Sequence, residues 1–268
     1  MLFASDLDQT LIYSERSKGS ISLDDMVPVE LFQGRHISYM TRAAAARLRE
    51  LNELAPFVPV TARTPEQYHR IFAFREWVIP EYVIVSNGGN VLINGEIDQE
   101  WDSLVRQAVR EGCSEQGEIQ EMFQRIADDS WVQSSTLCDG LFYSIVVERD
   151  KLPAEKIDSF RKELAAHGWS YSLQGRKIYL VPEQVSKGAA LVYVKEKLGE
   201  SRVLAAGDSL LDESLLLAAD TAFAPSHGEL KRQYNEHSHI VFTRRTGAEA
   251  AEEILEACLD VARSQFSC

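Results

Sequence analysis

Seven polar residues stand where short apolar runs of this sequence end, and an eighth opens a returning segment. Asp6 and Asp8 follow the run 2–4, Thr61 and Arg63 follow 57–60, and Asn87 follows 82–85. Asp208 and Asp212 follow 203–206, and Lys187 opens the segment that returns from a long middle region. In an open α/β sheet, ligands bind beyond the carboxyl ends of the strands, so these are the residues to read for chemistry. Carboxylates crowded together repel and do not all stay ionised without compensation. Mg²⁺ is a usual compensation, because it takes oxygen ligands and joins carboxylates to a phosphate. Lys187 offers a point charge and Thr61 a hydroxyl, both suited to phosphoryl oxygens. An aspartate can itself attack phosphorus and form an aspartyl phosphate.

The elements that must position these residues can be read from periodicity. The runs at 2–4, 57–60, 82–85, 203–206, 221–224 and 239–242 are too short for helices and do not alternate. They read as strands buried on both faces. Helical patterns lie between most of them, at 41–54, 65–74, 188–198, 212–219 and 248–264. Thr41 and Thr64-Pro65 supply helix-start signals. Strand and helix in succession predict a parallel sheet covered on both sides. Three strands, an insertion and a return would set the run 203–206 beside the run 2–4, bringing Asp208 close to Asp6 and Asp8.

The middle of the chain has a different rhythm. Hairpin signals at Asn94-Gly95, Cys138-Asp139-Gly140 and Gln174-Gly175-Arg176 alternate with helical stretches at 101–128, broken near Gly112, and 153–167. The expected organisation is a Rossmann-like parallel-sheet core at 1–88 and 184–268, with an inserted α+β domain at 89–183. A smaller excursion at 15–39 reads as a flap-like hairpin around Gln33-Gly34.

Composition bounds the function. The chain has 268 residues, 45% hydrophobic and 26% charged, the balance of a globular protein. A net charge of −13 disfavours a nucleic-acid-coating protein but leaves room for a small phosphorylated substrate held by a few local cations. Cys113, Cys138, Cys258 and Cys268 form no CxxC pair, which suits reduced thiols. The start has no basic leader, and no apolar run reaches the roughly 18 residues of a membrane span. A cytoplasmic protein with no membrane partner is expected; its oligomeric state is not legible.

Asp6-Leu7-Asp8-Gln9-Thr10 resembles the DxDxT signature of the haloacid dehalogenase (HAD) superfamily. The strand ending at Thr61 resembles its second motif, Lys187 its third, and Gly207-Asp208-Ser209-Leu210-Leu211-Asp212 its fourth. The insertion lies where that superfamily carries a C2 cap. Ser86-Asn87-Gly88-Gly89 and the approach to Lys187 resemble the Cof-like and sucrose-phosphatase-like branch, with a type IIB cap. The resemblance implies Asp6 as nucleophile and Asp8 as general acid and base. It implies Mg²⁺ held by Asp6, the Asp8 carbonyl and Asp208, with Asp212 helping through water or by orienting Lys187. Thr61 and Lys187 would bind phosphoryl oxygens. Thr10, Arg63 and Asn87 are candidate substrate contacts, and Arg176 is another from its place on an expected hairpin of the inserted domain. Gln9 stands where many Cof-like members have glycine, and Leu211 where the fourth motif often has asparagine.

The expected activity is Mg²⁺-dependent hydrolysis of a small phosphomonoester such as a sugar phosphate. A phosphomutase of the same fold and a non-catalytic phospho-ligand-binding module remain as alternatives. A DxD after a strand is often only a turn, and Asp212 could simply face a helix dipole. Arg63 and Arg176 could be solvated cations, and Asn87 could serve only its turn. Motif order along the chain, rather than any one residue, carries the catalytic reading. His237 and His239 suggest a loop before an edge strand rather than a metal pair, and Trp101, Trp131 and Trp169 suggest packing.

Overall fold

The structure is a computed structural model that describes residues 1–265; Cys268 lies outside the described residues. The chain divides into two compact units. One is Met1–Ile97 together with the chain from Lys187 onward, and the other is Asp98–Ser186.

The first unit is built on a five-stranded parallel sheet. Its spatial order is Ile240–Phe242, Thr221–Ala224, Val203–Ala206, Leu2–Ser5, Phe57–Pro59. Leu2–Ser5 and Val203–Ala206 are buried along their whole length, which explains why neither alternates polar and apolar residues. Ser5 is in register with Ala206, so the two strands end level and release Asp6 and the 207–212 loop side by side.

One expected strand runs parallel to the main sheet, as its single bridge to Val60 shows, but makes most of its pairing elsewhere. Tyr82–Val85 pairs antiparallel with Asn90–Ile93, which in turn pairs with Glu96–Ile97. Its link to the main sheet is a bridge between Val60 and Ile84, with Thr61 N donating to Ile84 O at 2.9 Å. The next bond back along that edge would need a donor at Pro59, which has no N–H. The same pairing keeps residues up to Ile97 with the first unit, so the division falls later than the hairpin signals suggest, and the return falls at Lys187.

Helix Arg42–Leu54 starts at Thr41, whose hydroxyl accepts from Ala44 N at 3.0 Å. It buries Ala44, Ala45, Leu48 and Leu51 in the same core as the Ile254, Leu255, Cys258 and Ala262 stripe of helix Ala248–Gln265. The excursion before it is a hairpin of Met26–Phe32 and Arg35–Thr41, turning at Gln33 and Gly34, both left-handed. Tyr39 of the hairpin exchanges backbone bonds with Tyr13 at 2.9 and 2.8 Å. Its other strand docks on 70–71, where Leu31 N donates to Arg70 O and Glu30 bridges Ile71. The helix expected over 65–74 is therefore two short ones, Pro65–Tyr68 and Ala73–Glu76, because the hairpin captures the backbone between them.

The second unit is an antiparallel four-stranded sheet, ordered Trp169–Gln174, Lys177–Pro182, Phe142–Val147, Val132–Cys138. Helices Gln116–Gln124 and Ala154–Ala166 bury Ile119, Phe123, Phe160 and Leu164 with Trp131 and Trp169 in its core. The helical stretch expected over 101–128 divides after Gly112, where Gln99–Gly112 ends. Among the described residues no helix is long and apolar enough to cross a membrane, and Cys113, Cys138 and Cys258 are unbridged.

Candidate active site

The strand Leu2–Ser5 delivers Asp6 to the carboxyl edge of the sheet, where Asp6 N donates to Ala206 O at 2.9 Å. A tight turn follows, with Leu11 N and Ile12 N both donating to Leu7 O. This turn brings Thr10 back so that its hydroxyl donates to Asp6 Oδ2 at 3.3 Å. Gln9 sits inside it at φ 65°, the left-handed region that glycine enters at no steric cost. Here the Gln9 carbonyl is held by His227 Nε2 at 3.0 Å, and His227 Nδ1 accepts from Gly247 N at 3.1 Å. The two partners fix the imidazole as the Nε2–H tautomer, and burial pushes its pKa down.

Three segments distant in sequence, carrying Asp6, Lys187 and the pair Asp208 and Asp212, meet here. Lys187 Nζ donates to Asp6 Oδ1 at 2.8 Å and to Asp212 Oδ1 at 2.5 Å. Carboxylate oxygens of Asp6, Asp208 and Asp212 all lie within 4.8 Å of one another. Asp212 is a hub. Its Oδ2 accepts from Asp208 N, Ser209 N and Ser209 Oγ at 3.1, 2.9 and 2.8 Å. Gly207 makes room for it, since a Cβ there would lie 2.4 Å from Asp212 Cβ. The Asp208 carbonyl in turn accepts from Leu230 N, at the start of a short helix, Glu229–Gln233, that carries no strong sequence signal.

Burial sets the electrostatics. It pushes the Asp6 carboxyl up to about 7, with the Asp212 charge adding to it and Lys187 opposing. Asp208 is raised well above the carboxylate range by burial, then by Asp6 and Asp212. For Lys187, burial works against the ammonium, but Asp212 and Asp6 outweigh it and the pKa rises. Only with a cation present can all three ionise, since three carboxylates against one ammonium would otherwise leave two negative charges uncompensated. An all-oxygen donor set with that deficit fits a hard divalent cation such as Mg²⁺. Leu211, half-buried, brings no oxygen to this set.

The remaining expected residues fall in three places. Thr61, buried, accepts from Arg63 N at its hydroxyl and from Asn87 N at its carbonyl. Asn87 is left-handed and buried, and its amide Oδ1 and Nδ2 have no hydrogen-bond partner among the described residues. Asp8, half-exposed, is gripped through both oxygens by Arg63 Nε and a terminal guanidinium nitrogen, each at 2.8 Å. The Arg63 guanidinium also binds Glu30 at 2.8 and 3.0 Å, so carboxylates take both of its faces. Arg176 belongs to the second unit and is exposed on the turn between Trp169–Gln174 and Lys177–Pro182. Glu30, Ser209 and His227 were not candidates from sequence. Only Ser209 carried a signal, its place three residues before Asp212 in a capping-box spacing.

The family model of sucrose-6F-phosphate phosphohydrolase matches residues 1–258. No protein of curated function matches the sequence. Among solved structures, the sucrose-phosphatase of Synechocystis, solved in complex with sucrose and phosphate, superposes at a TM-score of 0.67 with 17% identity, covering 96% of this chain and 97% of that one. A HAD-superfamily phosphatase of Bacteroides thetaiotaomicron superposes at 0.55 with 16% identity, covering 96% and 94%. A trehalose-6-phosphate phosphatase related protein superposes at 0.53 with 17% identity, covering 99% and 100%.

Proposed function

The chain belongs to the sucrose-6F-phosphate phosphohydrolase family of phosphoric monoester hydrolases, and on that premise we propose that it hydrolyses a small sugar phosphate or related phosphomonoester through an aspartyl-phosphate intermediate on Asp6. The observation that carries this reading is the meeting of Asp6, Lys187, Asp208 and Asp212 at one carboxyl edge of the sheet. A carboxylate, a buried ammonium and two further carboxylates are the parts that phosphoryl transfer needs.

Asp6 attacks phosphorus, forming the carboxyl O–P bond as the bond from phosphorus to the sugar oxygen breaks. Asp8, as its carboxylic acid, hands its proton to the departing alkoxide. Asp8, now a carboxylate, takes a proton from water, whose oxygen attacks phosphorus. The Asp6–phosphorus bond breaks, and inorganic phosphate leaves. Lys187 and the Thr61 hydroxyl hold phosphoryl oxygens, and Asp212 keeps Lys187 aimed at Asp6. Asp6, Asp208 and the Asp8 carbonyl would hold Mg²⁺, which when bound supplies positive charge to the phosphoryl oxygens. Thr10 supports Asp6 through its hydroxyl, and the Asn87 amide is available to a substrate oxygen. The unit Asp98–Ser186 is assigned the role of a cap that governs substrate choice, with Arg176 as a candidate contact.

A panel of phosphorylated metabolites, assayed for phosphate release with Mg²⁺ and with chelator, tests the proposal. Hydrolysis of at least one sugar phosphate is expected, abolished by chelator and by Asp6→Asn. Failure to hydrolyse any member would overturn it. Isomerisation of a hexose phosphate without phosphate release would point to a mutase instead.

A further inference from the structure

The hairpin Met26–Phe32/Arg35–Thr41 carries a buried acid that none of the roles above uses. Glu30 is only 2% exposed. Pairing along the hairpin shifts register on both sides of Glu30, passing from Pro28↔Tyr39 to Glu30↔Ser38 and then to Leu31↔His36. A bulge of this kind re-aims a side chain, and here Val29 and Glu30 are buried in succession instead of alternating. Glu30 Oε1 and Oε2 accept from the Arg63 guanidinium at 2.8 and 3.0 Å, and Oε2 also accepts from the Ser38 hydroxyl at 2.5 Å. The guanidinium uses its other edge for the two-pronged grip on Asp8.

We propose that Glu30 is a positioning residue for Asp8, acting through Arg63. A guanidinium on a flexible stem can pair with a carboxylate in many orientations. A second carboxylate, fixed by its strand and by Ser38, selects one, because the planar fork cannot rotate without losing both Glu30 bonds. Glu30 is buried and paired with Arg63 and Ser38, so it does not read substrate. The hairpin thereby does more than cover backbone: its bulge sets the angle at which Asp8 presents its carboxyl. This inference rests on the phosphatase reading, in which Asp8 moves the proton.

The test uses the full chain with Mg²⁺ and three variants: Glu30→Ala, Glu30→Gln and Ser38→Ala. Two substrates are compared. A sugar or alkyl phosphate needs a proton on its leaving oxygen, whereas p-nitrophenyl phosphate releases a stable anion that does not. Glu30→Ala is expected to lower kcat/KM for the alkyl phosphate roughly 10- to 100-fold, the scale of a misplaced acid. For p-nitrophenyl phosphate kcat/KM should fall less than threefold on the same scale, since that constant stops at leaving-group departure. Glu30→Gln, which keeps the shape and one acceptor, should recover part of the loss, and Ser38→Ala should lose least. A merely structural role would lower both substrates alike. Equal losses on the two substrates, or no loss in a folded Glu30→Ala, would overturn the inference while leaving the phosphatase reading intact. A wild-type chain inactive on both substrates would overturn both together. A crystal structure of Glu30→Ala supplies a readout apart from activity: an unchanged two-pronged Arg63–Asp8 pair would refute the positioning role.

Discussion

Replacing Asp212 by asparagine changes almost no volume, yet no orientation of the amide satisfies its surroundings. Asp212 is fully buried, with Oδ1 on Lys187 and Oδ2 receiving three donors. Suppose the amide nitrogen takes the Oδ2 place. The Ser209 hydroxyl can reverse and accept, but the N–H groups of Asp208 and Ser209 then face a donor. Each buried donor left without an acceptor costs about 1–3 kcal/mol, so this orientation costs roughly 2–6 kcal/mol. Suppose instead the nitrogen takes the Oδ1 place. The three loop bonds survive, but the Lys187 ammonium loses one of its two carboxylates and meets an N–H at what was a 2.5 Å contact. Removing one partner from a buried ion pair costs about 3–5 kcal/mol. Both ranges include about 3 kcal/mol, the low end of what they share. For a chain of this size about 1 kcal/mol moves the melting temperature by roughly 2–4 °C, so Asp212→Asn should melt about 6–12 °C below wild type.

Equilibrium urea unfolding and a thermal melt in metal-free buffer measure this directly. Activity should fall further than stability alone explains, because Lys187 is then aimed by Asp6 alone; about 100-fold in kcat is the scale of a group displaced by an ångström. A variant that melts within 2 °C of wild type and keeps its kcat would refute the account of Asp212 as the hub between Lys187 and the 207–212 loop. A variant equally stable but inactive would refute the stability argument and leave the aiming argument standing.

Three shorter tests bear on other parts of the unit. Gly188→Ala puts a Cβ 2.3 Å from the Ser214 carbonyl oxygen, so the helix that begins at Lys187 must shift. We expect a loss of about 1–3 kcal/mol by denaturant unfolding and about 100-fold in kcat; near-normal values for both would show that the close approach is not required. Mg²⁺ at a hundred times its dissociation constant should stabilise the chain by about 2.7 kcal/mol. Chelator should remove that gain in a thermal melt, and Asp208→Asn should abolish the difference; a wild-type melt indifferent to both would argue against the acidic cluster as a metal site. Cys258 is fully buried and burial pushes its thiol pKa up, so maleimide should leave it unmodified in the folded chain and modify it in urea. Peptide mapping that finds it labelled under native conditions would contradict its place in the core.

The order of the site residues along the chain was legible because all but Lys187 follow a short apolar run, and such runs are the part of an α/β protein that local sequence dictates most strongly. Leu2–Ser5 and Val203–Ala206 lie adjacent, as three strands followed by an insertion require, and Asp6 and Asp208 come together as a consequence. What sequence did not yield depends on contacts between distant segments. Nothing local to residues 65–74 says that a hairpin strand will pair with 70–71 and split the helix. Glu30 reads as one more acid on an exposed strand until the bulge turns it inward onto Arg63. His227 gives no hint of its bond to Gln9, because its partner is a backbone carbonyl, which every residue carries. Tyr82–Val85 was legible as a strand running parallel to its neighbour, as the Val60–Ile84 bridge has it, but not that one bridge would be its whole link to the main sheet, since that depends on a missing donor on Pro59 in another segment.

The site is assembled against its own electrostatics, and that explains where its rigidity comes from. Asp6, Asp208 and Asp212 within 4.8 Å of one another form a cluster that self-repulsion would disperse if side chains were free to move. Each is instead held by backbone or by a bond that cannot swing. Asp6 begins where a fully buried strand ends and is pinned through its own N–H to Ala206. Asp208 is fixed from both sides, with its N–H on Asp212 and its carbonyl on Leu230. The Asp212 carboxylate stands between three loop donors and a buried ammonium. Rigid placement keeps the three carboxyls together when nothing compensates them, and the cost shows in the raised pKa values of Asp6 and Asp208. The stabilisation such a cluster offers an incoming cation is the counterpart of that cost. A chain with net charge −13 can therefore still receive an anion, because the compensation is local: Lys187 provides one positive charge and the carboxylates invite two more.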